Sequence, residues 1–337
     1  KKRGIKTVAT FHHIRTYDWY LPANARAVAE GQKAGWDLFD PQYADLYWNR
    51  FTGKYEDFIT KWKAKVREVV NKYEPDVLWF DGGKFQEEGA QHHVLEVISY
   101  YLNRSLQWDR EVEVLNKLPT SMKFNFPREF GVLTFEEGRD RPAEVNRPWI
   151  DDMKISTASW GYIEGQTYKP ANEIIDGLID RVSRGGGLLL SLCPKADGTI
   201  NQQQKDVLLE IGRWLKQNGE AIYATRPWTV HAEGSVDHIH RTGGKHTKWV
   251  FSDCGPDDIR FTQSKDGKTV YAIALGWPGA GVKLRIKSLA TGRGGERIKS
   301  IRLLGHGKVK WQRTAEALEV TMPKKVPSEQ AICLKIR

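Results

Sequence analysis

Residues 55–83 read YEDFITKWKAKVREVVNKYEPDVLWFDGG. Tyr55, Phe58, Ile59, Trp62, Val66, Val69, Val70 and Tyr73 share one face at helical spacing, so the first part is an amphipathic helix. Past Pro75 the pattern changes to a short apolar run, Val77 to Phe80, of the kind that makes a buried strand. The run ends on Asp81, with Gly82 and Gly83 behind it. Asp-Gly is a common turn signal. In barrels of alternating strands and helices, however, catalytic residues sit at the carboxyl ends of strands. At this point Asp81 stays open between a turn residue and a catalytic carboxylate.

The same alternation extends in both directions. Ile5 to Phe11 is a candidate strand, followed by a long aromatic-rich loop. AQHHVLEVISYYLNR (residues 90–104) has helical spacing, and Glu111 to Leu115 alternates as a strand. A long polar loop is expected from there to about Arg147, then a short strand near Lys154 to Thr157. Pro170 opens a helix to about Arg184, Gly187 to Leu192 is an apolar strand, and Gln202 to Gln217 is a helix. Apolar strands alternating with helices give an α/β fold with a parallel sheet. About five such strands are legible, whereas a closed barrel needs eight. Either the sheet is open or the chain is the later part of a barrel. After Pro227 short alternating strands separated by glycine-rich turns predict an antiparallel β-sandwich. The expected domains are therefore 1–226, the barrel portion, and 227–337, the sandwich.

With 337 residues the chain can form one large domain and a small one. Its formal charge of +10 raises nucleic acid as a partner, but acidic residues are interspersed and no nucleic-acid-binding signature is present. An acidic polysaccharide would suit such a surface equally well. Thirteen tryptophans hint at sugar binding, since an indole face packs on a sugar ring, although cores also absorb tryptophan. Cys193, Cys254 and Cys333 are odd in number and widely spaced, which predicts free, mostly buried thiols without metal-ligand spacing. No apolar run is long enough to span a membrane. The start KKRGIKTVATF places a strand almost at the first residue, from which a natural N-terminus lying upstream is expected.

Two further stretches, PWIDDMKISTASWGYIEG (148–165) and SRGGGLLLSLCPKADGTINQQQKDVLLEIGRWLKQNGEAIYATRPW (183–228), join DVLWFDGG and FTQSKDGKTVYAIALGWP in a pattern. From about Gly4 to at least Pro278 the chain resembles the α-L-fucosidases of glycoside hydrolase family 29. The resemblance implies a (β/α)8-type barrel, N-terminally incomplete in this chain, followed by an antiparallel β-sandwich. It implies retaining hydrolysis of terminal α-L-fucose through a covalent fucosyl-enzyme, with no metal and no cofactor. Such chemistry needs two carboxyl groups about 5–5.5 Å apart.

By resemblance Asp81 falls on the nucleophile, and Trp79 on a tryptophan that shapes the pocket. A strand would hold the carboxylate rigidly, and Gly82 and Gly83 would leave a substrate room. The acid/base position varies in this family. Some members carry a glutamate directly after the tryptophan of the PW pair, where this chain has Ile150, which cannot carry a proton. Another branch has a YE-x-GR pattern, which Phe135-Glu136-Glu137-Gly138-Arg139 resembles; it makes Glu136 the acid/base, with Glu137 its rival and Asp151 or Asp152 behind them. That role demands a raised pKa. His13, at the end of the first strand, is the preferred sugar contact. Lys117 is read either as a sugar or carboxylate contact or as a plain loop lysine, and Trp160 either as a pocket wall or as core. His92 and His93 are surface or core residues of a helix.

The pattern also departs from the family. Upstream motifs of the types HHDGF and FIHWG, whose histidines and tryptophan bind fucose in family members, are absent from this sequence. Missing strands leave barrel edges open, so association with a second copy or with a separate N-terminal portion is expected. The partner is a fucosylated oligosaccharide or polysaccharide, with no nucleic acid and no membrane. The resemblance points to a periplasmic or secreted location. The rival to hydrolysis is a non-catalytic carbohydrate-binding protein on a truncated fucosidase scaffold. A charge-driven polyanion binder, a third reading, would lose affinity steeply with salt.

Overall fold

A computed structural model of the chain describes residues 4–12, 16–81, 91–117, 126–127, 129–138, 147–235, 239–242, 248–251, 254–293 and 298–337. The chain divides into two compact units, Lys1–Thr134 and Phe135–Arg337.

The first unit runs β1 (Val8–Phe11), α1 (Ala25–Lys33), α2 (Ala44–Tyr47), α3 (Tyr55–Tyr73), β2 (Val77–Phe80), α4 (Gln91–Gln107), β3 (Glu113–Lys117) and the greater part of β4 (Val132–Glu136). Helix α3 forms where the spacing predicts it and buries Phe58, Ile59, Trp62, Val66 and Val70. It stops at Glu74, whose left-handed φ of 44° ends the helix before Pro75. The chain then turns straight into β2, which pairs in parallel with β1 and β3. The Asp76 carboxylate accepts from the Thr7 N–H at 2.8 Å and the Thr7 hydroxyl at 3.0 Å, tying the approach to β1 to the start of β2. These bonds, the backbone one foremost, lower its pKa to about 2. Leu78 and Phe80 of β2 and Trp62, Val66 and Val70 of α3 meet Val94, Val97 and Tyr101 of α4 in one core.

The second unit contains β5 (Trp149–Lys154), α5 (Ala171–Ser183), β6 (Gly186–Ser191) and α6 (Gln202–Asn218). The antiparallel strands β7 (Thr225–Glu233), β8 (Ile239–Thr242), β9 (Lys248–Phe251), β10 (Ile259–Ser264), β11 (Val270–Ala274), β12 (Lys283–Ile286), β13 (Ile301–Leu303), β14 (Gly307–Lys308), β15 (Lys310–Arg313), β16 (Leu318–Thr321) and β17 (Ile332–Ile336) follow. Trp149 lies opposite Gly186 in the β5–β6 register, and a Cβ on Gly186 would collide with the indole, so this glycine is required by close packing. One sheet has the order β14-β13-β17-β11-β10-β7 and a second the order β12-β16-β15. The larger sheet buries both faces by strand alternation. Tyr271, Ile273 and Cys333 join the core of α5 and α6, while Ala272, Ala274, Ile332, Leu334 and Ile336 join Leu284, Ile286, Leu318 and Val320 of the smaller sheet.

The parallel strands follow the order β1-β2-β3-β4-β5-β6. The architecture is an incomplete barrel of parallel strands and helices followed by antiparallel sheets, as the sequence implied. Among the described residues six parallel strands replace the five legible ones. The extra one is β4, inside the segment read as a polar loop: five residues, VLTFE, carry too little alternation before the charged stretch behind them. Strand β5 ends at Lys154, where a strand was expected to begin. Its two adjacent aspartates mimic a loop, yet both are buried. In the sandwich β7, β8, β10, β14 and β15 were likewise not anticipated. All three cysteines are free. Among the described residues no helix is long and apolar enough to cross a membrane.

Candidate active site

In the first unit the sequence expectations converge at the carboxyl ends of β2 and β3. The Asp81 N–H donates to the Phe11 carbonyl at 3.1 Å, so the β1–β2 ladder continues to the residue that carries the carboxylate. Trp79 stands opposite Leu115 in the β2–β3 register, and Lys117 is two residues beyond Leu115, as Asp81 is beyond Trp79. Alternation therefore puts Trp79, Asp81 and Lys117 on one face. The side chains meet there: Lys117 Nζ is 3.6 Å from Asp81 Oδ1 and 5.2 Å from the centre of the Trp79 ring. Lys117 is 3% exposed and the Asp81 side chain 29%, so the ammonium is covered while the carboxylate remains reachable. A loop lysine would not be buried; Lys117 is a strand-end residue committed to a carboxylate and an indole face. Trp79 is itself buried. His13, Gly82 and Gly83 lie outside the described residues. His12, beside His13, packs edge-on to Trp19 at 6.4 Å.

In the second unit Glu136 closes β4 half-buried, so it ends a strand as Asp81 follows one. Glu137 differs in every respect. Its φ is 49°, a left-handed conformation that is strained for a side-chain-bearing residue, and Gly138 follows at 74°. The turn is held from β5. The Glu137 N–H donates to the Asp152 carbonyl at 2.7 Å, and the Gly138 N–H reaches both Asp151 oxygens at 3.0 Å. Asp151 is in turn paired with Arg181, whose Nε donates to Oδ2 at 2.6 Å. Lys154 Nζ donates to the Glu137 carboxylate at 2.6 and 2.7 Å, and Lys169 Nζ stands 3.7 Å away. Burial lowers the pKa of Lys169, with Glu137 opposing that shift. Both Glu137 oxygens are thus taken by a buried ammonium. Asp151 is held by Arg181 and by the Gly138 N–H of the turn.

Trp160 is 38% exposed, and Lys154 Nζ lies 5.1 Å from its ring centre, so this tryptophan is no core residue. It shares the Lys154–Glu137 neighbourhood. Lys154 and Lys169 were missed in the sequence, where nothing distinguishes a lysine that ends a strand from one in a loop. His92 is exposed and His93 half-buried on α4, with rings 3.7 Å apart. Burial, then the neighbouring His92, lowers the pKa of His93. Among the described residues no group of three or more His, Cys, Asp and Glu could hold a metal ion.

Comparison with known proteins places these residues in a context. A family model described as Alpha-L-fucosidase matches residues 1–220, and one described as Alpha-L-fucosidase C-terminal domain matches residues 252–337. A tissue alpha-L-fucosidase of Rattus norvegicus is 29% identical over 295 residues, covering 84% of this chain and 56% of that protein. A plasma alpha-L-fucosidase of the same species is 30% identical over 257 residues, covering 74% and 49%. The structure is similar to that of Thermotoga maritima alpha-fucosidase in complex with a mechanism based inhibitor, with a TM-score of 0.64 and 25% identity over 88% of this chain and 59% of that one. The chain spans about half the length of the curated relatives it matches.

Proposed function

The chain belongs to the alpha-L-fucosidase family, and from that premise we propose that it carries out retaining hydrolysis of terminal α-L-fucose on fucosylated glycans, with Asp81 as nucleophile and Glu136 as acid/base. The supporting observation is the constellation at the ends of β2 and β3: a reachable carboxylate, a buried ammonium 3.6 Å from it and an indole on the same face. The Thermotoga maritima relative, solved with a mechanism based inhibitor, supports a covalent route.

In the first half-reaction an Asp81 oxygen bonds to the anomeric carbon while the bond to the leaving oxygen breaks. The electron pair passes to that oxygen, which takes the Glu136 proton. In the second, Glu136 accepts a proton from water, the water oxygen bonds to the anomeric carbon, and the ester to Asp81 breaks, restoring both carboxyl groups. Lys117 holds the Asp81 carboxylate in place and stabilises it as an anion between turnovers. His13, Trp79 and Trp160 belong to the sugar-contacting set. We assign residues 1–226 to the barrel portion and 227–337 to the sandwich.

The test is release of an aryl leaving group from an aryl α-L-fucoside by the parent chain and by Asp81→Asn. Turnover in the parent that drops by at least about a hundredfold in the variant supports the assignment. No turnover by the folded parent sinks hydrolysis by this polypeptide, and fucose binding retained under those conditions would identify the carbohydrate-binding alternative.

A further inference from the structure

On the larger antiparallel sheet the register sets cations side by side. Arg302 of β13 is directly opposite Lys308 of β14 on one side and Lys335 of β17 on the other, and Lys335 is opposite Tyr271 of β11. Directly opposed residues project from the same face. Tyr271 marks that face as the one α5 and α6 cover farther along the sheet, so the row of cations lies where the covering layer ends. Like charges directly opposite one another destabilise a sheet. Among the described residues one carboxylate meets the row: Glu220, just beyond α6, contacts Lys335 Nζ and accepts from the Tyr271 hydroxyl at 3.2 Å. Among the described residues Arg302 and Lys308 make no ion pair, and the Arg337 guanidinium reaches only the Thr269 hydroxyl, at 3.3 Å.

The row borders a cavity of about 550 Å³ lined by Glu220, Ser300, Arg302, His306, Lys335 and Arg337 together with the turn around Gly305 and Gly307. That size suits a small ligand. Its cations are guanidinium and ammonium groups, and the guanidinium fork matches a sulfate or carboxylate. Among the described residues no Phe, Tyr or Trp lines the cavity, so they offer none of the aromatic platforms that single-stranded nucleic acid uses for stacking.

The geometry points to a second binding site on this sheet, distinct from the residues assigned to hydrolysis, that takes the sulfate groups of an anionic oligosaccharide through Arg302, Lys335 and Arg337. An anion there relieves the cross-strand repulsion that the unliganded sheet carries. The choice of a glycan as bearer of the anion rests on the fucosidase reading; the cationic cavity does not.

The test is calorimetric titration of the intact chain with a sulfated dextran oligosaccharide, the same oligosaccharide without sulfate, and a single-stranded oligonucleotide of matched charge. These probes contain no fucose, so binding is read independently of turnover, and a chain inactive on fucosides still reports on this site. The expected result is binding of the sulfated sugar that weakens with salt, at least tenfold weaker binding of the unsulfated sugar, and a loss of at least tenfold in Arg302→Gln/Arg337→Gln. Both side chains are exposed and Arg302 stands opposite other cations, so the thermal midpoint of the double variant is expected to hold or rise. Unchanged affinity in the double variant, equal affinity for the unsulfated sugar, or tighter, Arg302-dependent binding of the oligonucleotide would each overturn the proposal. A collapse of the thermal midpoint would also do so, by making these arginines structural.

Discussion

Glu136 and Glu137 are adjacent in sequence and opposite in circumstance. Glu137 is 7% exposed and bound by Lys154 through both oxygens, whereas Glu136 ends its strand half-buried. Glu136→Gln is expected to slow hydrolysis of fucosides with poor leaving groups by about 10²- to 10⁴-fold, and to slow activated aryl fucosides less, because the latter leave without a proton. Glu137→Gln strips the anion from two buried lysines and is expected to cost about 3 kcal/mol of stability, measured by urea denaturation. The reverse pattern, with Glu137→Gln folded normally but inactive and Glu136→Gln active, would exchange the two roles. The sequence left these neighbours as rivals because a carboxylate's surroundings come from other strands. The placement of Asp81 was legible, because an apolar run followed by Asp-Gly is local information. Its contact with Lys117 was not, since it depends on how β2 and β3 align.

Helix α5 shows the same limit at the scale of an element. Its position and ends were legible, a helix opened by Pro170 and running to about Arg184 against the observed Ala171–Ser183. That it also buries Asp176, Asp180 and Arg181 was not, because a helix covered on more than one side carries polar residues inward only where partners await them. Burial pushes the Asp176 carboxyl up to about 8 against an ordinary value of 3.8; Arg260 opposes the shift, and Asp258 and Glu173 reinforce it. In the unfolded chain this group ionises near its ordinary value, so between about pH 4 and pH 8 the folded state binds the extra proton. Stability is then lost as pH rises through that window. Asp176→Asn is expected to raise the thermal midpoint at pH 8 and leave it nearly unchanged at pH 4. An equal shift at both pH values would show that Asp176 is not held protonated. Strands β4 and β5 were misread for a related reason: a short strand or one with adjacent aspartates looks like a loop until the pairing that buries it is known.

At the scale of the whole chain, the larger antiparallel sheet binds the second unit together. Its opposite faces serve the α5–α6 layer and the smaller sheet. Arg260 of β10, fully buried, donates to Asp180 of α5 at 2.8 Å. Arg260→Met is expected to cost about 3 kcal/mol and to lower the far-ultraviolet and tryptophan-fluorescence midpoints together, because both layers share that sheet. Separate transitions would show that the layers unfold independently. The sequence by itself determined the alternation of helices and parallel strands, the change to antiparallel strands after Pro227, the family, and Asp81 at a strand's end. All of these are written in neighbouring residues, through periodicity, turn signals and contiguous motifs. Only the tertiary structure decided that Lys117 meets Asp81, that Lys154 occupies Glu137, and that Lys308, Arg302 and Lys335 stand in one row. Strand register brings together side chains distant in the chain, and a slip of one residue would turn each of them to the opposite face.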